Sequence, residues 1–65
     1  MAFIGDVPRS VFGQYGAVSA ALYYASDTST YYVRFCGDGA TVTREFSSLD
    51  DRSKLVLRLI YCVPA

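Results

Sequence analysis

The sequence predicts an α+β fold: a three-stranded antiparallel meander, covered on one face by a C-terminal helix and preceded by a short N-terminal helix (α-β-β-β-α). Three observations predict it. Apolar and polar residues alternate through residues 17–25, 30–36 and 40–46. Ser26-Asp27-Thr28-Ser29 and Asp38-Gly39 separate those runs as turn signals, the second suited to a type I′ turn with positive φ at both positions. Beyond Ser48 the period changes, with Leu55, Val56, Leu59, Ile60 and Val63 recurring at helical spacing until Pro64. A chain of 65 residues has room for one core, so residues 1–65 form a single domain.

The N-terminal segment comes first. Asp6-Val7-Pro8-Arg9 starts a helix, with Pro tolerated in the first turn, and Gly13 and Gly16 end it near residue 15. One helix from Pro8 to Ala25 would carry both glycines in its interior, at ~1 kcal/mol each relative to Ala, and would remove a strand from the hairpin. Phe3, Ile4, Val7, Val11 and Phe12 are left to seal an edge of the core or to cover part of the polar sheet face.

Burial tests the strand register, because a slip of one residue moves every side chain to the opposite face. With Asp27-Thr28 and Asp38-Gly39 as turn centres, Tyr24 faces Tyr31, Leu22 faces Val33 and Phe35 faces Val42. One face then collects Val18, Ala20, Leu22, Tyr24, Tyr31, Val33, Phe35, Val42 and Phe46. The other collects Ser19, Ala21, Tyr23, Tyr32, Arg34, Cys36, Thr41, Thr43 and Glu45. A three-residue second loop would bury Thr41, Thr43 and Glu45 instead and is rejected. Arg44 falls on the apolar side and must carry its head group out past the sheet edge.

In the last segment Ser48 is the expected N-cap, with Asp51 three residues on in a near capping-box arrangement. The stripe from Leu55 to Val63 is expected to cover the sheet. Leu57 and Tyr61 lie partly off that stripe, to be buried more deeply or to meet a partner. Asp50, Lys54 and Arg58 descend one face at i, i+4 intervals.

Composition excludes several chemistries. The chain has no His, and its only cysteines, Cys36 and Cys62, are 26 positions apart, so no metal-ligand set and no cofactor are expected. A nucleophile would lack its usual base. The Asp50–Asp51 pair reads as helix-start acids rather than a catalytic dyad. Gly37-Asp38-Gly39 lacks the third glycine and the following helix of a phosphate loop. An enzyme is therefore not expected. Six basic and six acidic residues cancel, which argues against a general phosphate-backbone binder. The longest apolar run, Ala20 to Ala25, is far short of the ~20 residues that span a bilayer. The start lacks the basic segment of a cleaved leader. The expectation is a cytoplasmic protein with two free thiols.

Six tyrosines in 65 residues point to contact surface, since Tyr is enriched at protein interfaces. Tyr23 and Tyr32 fall opposite each other on the polar face, with Glu45 beside Tyr32. Asp27, Glu45, Asp50 and Asp51 are expected at one end of the sheet, as a local acidic patch for a basic partner surface. The candidate partner-binding residues are thus Tyr23, Tyr32, Glu45, Asp27, Asp50 and Asp51. Two other readings use the same features: tyrosines that stack single-stranded nucleic acid, for which Arg34 is a poor basic surround, and a structural subunit that self-associates through a sheet edge or the Tyr face.

The stretches ASDTSTYYVRFCGDGATV and SLDDRSKLVLRLIYCV, with the 65-residue length, resemble small phage-encoded anti-CRISPR proteins, in particular those acting on type I-C systems. The resemblance implies a non-enzymatic inhibitor in the host cytoplasm; a monomer is expected, with a weak homodimer as the alternative. Such an inhibitor binds a Cas surveillance complex and blocks target DNA binding or nuclease recruitment. Many proteins of that style are strongly acidic DNA mimics. The neutral charge of this chain departs from that pattern, and the resemblance assigns no functional residues.

Overall fold

A computed structural model describes residues 1–64. It is an α+β structure with four strands rather than three: β1 (Ala2–Asp6), β2 (Ser19–Ala25), β3 (Thr30–Gly37) and β4 (Ala40–Glu45) form one antiparallel sheet in the order β1-β2-β3-β4. Between β1 and β2 lie α1 (Arg9–Phe12) and a 3-10 turn (Gly13–Tyr15). After β4 come a second 3-10 turn (Phe46–Ser48) and α2 (Asp51–Tyr61).

The central register is the expected one. Tyr24 pairs with Tyr31, Leu22 with Val33, Phe35 with Val42 and Tyr32 with Glu45. The turn at Asp38-Gly39 differs in type, since only Gly39 has positive φ (70°). The short N-terminal helix also ends where expected, with Gly16 in the left-handed region at φ 71°.

The added strand is β1. A register shift between Phe3 and Gly5 interrupts its pairing with β2, so the period-2 pattern that betrays the other strands is broken within five residues. Val7 extends the attachment by donating its N–H to Ala20 O at 2.9 Å.

The core lies on the face carrying Ala20, Leu22, Val33 and Phe35, where Val7, Val11, Phe46, Leu49, Leu57 and Val63 close over it. Two expected core members, Val18 and Val42, are exposed. Val42 is on the edge strand β4, and Val18 precedes β2.

The larger correction concerns α2. Leu57 is 0% exposed and Leu59 is 75% exposed, while Leu55 and Ile60 are also open to solvent. The buried ridge is Ser53 and Leu57, flanked by half-buried Val56 and Tyr61, so the helix is rotated relative to the stripe read from the sequence. The N-cap is Asp50, which accepts the Ser53 N–H at 3.1 Å. Ser48 instead donates its hydroxyl to Glu45 O at 2.7 Å within the preceding 3-10 turn. Cys62 stops the helix in the left-handed region (φ 55°), leaving Val63 buried beyond it.

The far end of α2 is held by Tyr61, whose hydroxyl donates to Asp6 O. Its ring lies over Gly5, where an added Cβ would be 2.5 Å from Tyr61 Oη. Glycine is required there for close approach of the ring to β1.

Leu57→Ala is expected to cost ~2–5 kcal/mol, whereas Leu59→Ala stays within about 0.5 kcal/mol of the parent in urea unfolding. Equal costs would mean that α2 is rotated otherwise. Gly5→Ala should destabilise by ~1–3 kcal/mol by overpacking. In a Tyr61→Ala background most of that loss should vanish in a double-mutant cycle.

Candidate functional site

Both helices pack on one side of the sheet, so the opposite face is open. Antiparallel pairing sets Tyr23, Tyr32 and Glu45 in a row across β2, β3 and β4. The fourth strand lengthens that row. Phe3 pairs with Tyr23 and meets its ring edge to face, with centroids 5.7 Å apart and planes at 70°. Phe3 remains 59% exposed and both tyrosines are half-buried, so the row presents apolar ring surface to solvent. Phe3 is not among the partner-binding residues read from the sequence, which leaves it either to seal a core edge or to cover part of this face. Its signal was present in the apolar segment at the N-terminus, but the bulge at Ile4 disguised the strand.

Arg34 stands beside the row with its guanidinium 4.8 Å from the Tyr23 ring centroid. With Arg34 and Glu45 on adjacent strands, the surface offers one cation, one anion and three aromatic rings.

The three aspartates have separate, local roles. Asp27 lies in the β2–β3 turn and its Oδ1 accepts the Thr28 N–H at 3.0 Å. Asp51 is fully exposed in the first turn of α2, 3.5 Å from Lys54 Nζ.

Asp50 is tied to the N-terminal segment. Its Oδ1 accepts from the Tyr15 hydroxyl, from Ser53 Oγ at 2.7 Å and from Gln14 Nε2 at 3.1 Å. Its own N–H donates to Tyr15 Oη at 3.2 Å. Tyr15 in turn packs on Phe35 with centroids 4.7 Å apart, and the Arg44 guanidinium carbon lies 5.3 Å from the Tyr15 ring centroid. Asp50 therefore belongs to the covered side of the sheet, apart from the tyrosine row. The Tyr15 hydroxyl first, and then Ser53, hold its carboxyl well below the usual carboxylate range.

Both cysteines are free, Cys36 half-buried in β3 and Cys62 exposed after α2. Among the described residues, no three His, Cys, Asp or Glu side chains are grouped to hold a metal ion. No helix among them is long and apolar enough to cross a membrane. Comparison with family models, curated proteins and solved structures finds no match for this chain.

Asp50 sets a pH dependence with a defined sign. Its folded pKa lies below its ordinary value of 3.8, so its stabilising contribution is present above that pH and lost progressively as pH falls below it. Tyr15→Phe is expected to lower the melting temperature at pH 7. It should also flatten the loss of stability below about pH 4, so that the two proteins converge in acid. Parallel acid-titration curves for parent and variant would contradict this role for Tyr15.

Proposed function

We propose that this chain is a non-enzymatic binding module that engages a partner protein through the open face of its sheet. The observation that carries the reading is the uncovered aromatic row Phe3–Tyr23–Tyr32, bordered by Arg34 and Glu45. Aromatic side chains with polar tips supply a large contact area at low conformational cost, and Tyr and Arg dominate binding energy at protein interfaces. The four-stranded scaffold pre-organises them, because each ring is held by its neighbours across the ladder.

The charge pattern favours protein over nucleic acid. The face carries one cation, Arg34, and one anion, Glu45, and the chain is neutral overall. A sequence-tolerant single-strand binder needs a basic groove along the strand as well as stacking rings. The resemblance to small anti-CRISPR proteins nominates the partner: a Cas surveillance complex in the host cytoplasm, inhibited by occupation of a surface needed for target DNA binding or nuclease recruitment. Neutral charge makes contact with a protein subunit a better fit than wholesale imitation of DNA.

Tagged protein should retain a Cas subunit from a lysate expressing a type I surveillance complex, and nuclease treatment should leave that retention intact. Tyr32→Ala should weaken the interaction at least tenfold, the order of a ~1.4 kcal/mol loss at a contact centre, with the melting temperature changed by only a few degrees. Wild-type affinity in Tyr32→Ala and Tyr23→Ala would place the contact elsewhere. Recovery only with intact nucleic acid would favour a stacking module instead.

A further inference from the structure

The covered side of the sheet carries a second feature, independent of the open face. Between α2 and the β2–β3 hairpin lies a surface cleft of about 490 Å³, within the ~300–1,000 Å³ range of small-molecule sites. We propose that this cleft binds a small organic phosphate with a planar ring, of the mononucleotide class.

Charge provides the first argument. Lys54 and Arg58, one turn apart on α2, both line the cleft. Arg58 lies over the Phe46 ring with its guanidinium carbon 5.3 Å from the centroid. Arg58 Nε is buried without a hydrogen-bond partner, and Arg58 makes no ion pair among the described residues. Buried polar groups in folded proteins are otherwise almost always satisfied, so a guanidinium that lines a cleft with no internal partner has its terminal N–H donors available to an acceptor there. Lys54 is 3.5 Å from Asp51, but that carboxylate is fully exposed and the pair is screened by water.

Shape and donors provide the second. Tyr24 and Tyr31 line the cleft with ring centroids 4.7 Å apart, offering a half-buried aromatic surface for a planar group. Ser29 adds a hydroxyl from the hairpin turn, whereas the Thr30 hydroxyl already donates to Thr28 O at 2.9 Å. Two cations with a hydroxyl donor arriving from a separate element suit the several oxygens of a phosphate monoester. Glu45 borders the cleft at the end of β4, while its place in the row with Tyr32 puts its side chain on the open face.

The test is an NMR titration of the intact chain with AMP, adenosine and inorganic phosphate in parallel. AMP is expected to shift the Arg58 Nε–Hε signal and the Ser29–Tyr31 amides saturably, with Kd below about 1 mM. Adenosine and inorganic phosphate should each bind at least tenfold more weakly. Arg58→Gln should weaken AMP at least tenfold. If Arg58→Gln does not fold, Lys54→Gln is used and the same direction of change is required. Absence of saturation with AMP would overturn the proposal, as would equal affinity for inorganic phosphate, which would mean an adventitious ion only. Unchanged AMP binding in the Arg58 or Lys54 variant would also overturn it.

Discussion

The Asp50 carboxylate is the fastening on which the arrangement of this small protein depends. It caps α2 through the Ser53 N–H and receives the Tyr15 hydroxyl and the Gln14 amide from the segment between α1 and β2. A single acceptor group thereby satisfies an orphan helix donor and joins two segments 35 positions apart in the chain. Because Tyr15 also packs on Phe35, the start of α2 is located relative to β3. Tyr61 supplies the second point of attachment, over Gly5 at β1. Two fixed ends leave α2 one rotation about its axis, and that rotation turns Leu57 inward and Leu59 outward.

This division gives the sheet two different faces. On one, helices, turns and the aliphatic residues of β2 and β3 exclude water. On the other, rings alternate with polar groups and no element covers them. A domain of this size buries a smaller fraction of its surface than a larger one, so the stabilising groups crowd one side and leave the other available for contact. Addition of β1 extends the open face by one aromatic ring while placing Val7 and Val11 in the core. The same short segment therefore serves both faces.

Much of the sheet was legible because strand periodicity and turn chemistry agree. Tyr23, Tyr32 and Glu45 could be aligned from the sequence because three independent strands sorted into apolar and polar faces under one choice of turns. β1 was not legible in that way: its bulge breaks alternation at Phe3, Ile4 and Gly5, and the pairing that makes it a strand comes from residues 15 or more positions later. The helix was legible as a helix but not in its rotation. Leu55, Val56, Leu59 and Ile60 form an apolar stripe as regular as any that a buried face would show. The partial burial of Arg58 against Phe46 had no sequence signal, since it needs the 3-10 turn and α2 to meet at one angle.

The order of side chains alone determined the fold class, the central register, the helix at the C-terminus and the grouping of the tyrosine row. Those follow from local rules: period 2 in strands, period 3.6 in helices, and turn residues between them. Tertiary structure decided the fourth strand, the rotation of α2, the burial of Leu57 in place of Leu59, and the bonding of Asp50 to Gln14 and Tyr15. Each of these is set by contacts between distant segments, through Tyr15 on Asp50 and Tyr61 on Gly5. When one short helix carries two apolar stripes, periodicity ranks them by hydrophobicity, but the partner that is physically held in place selects which one is buried.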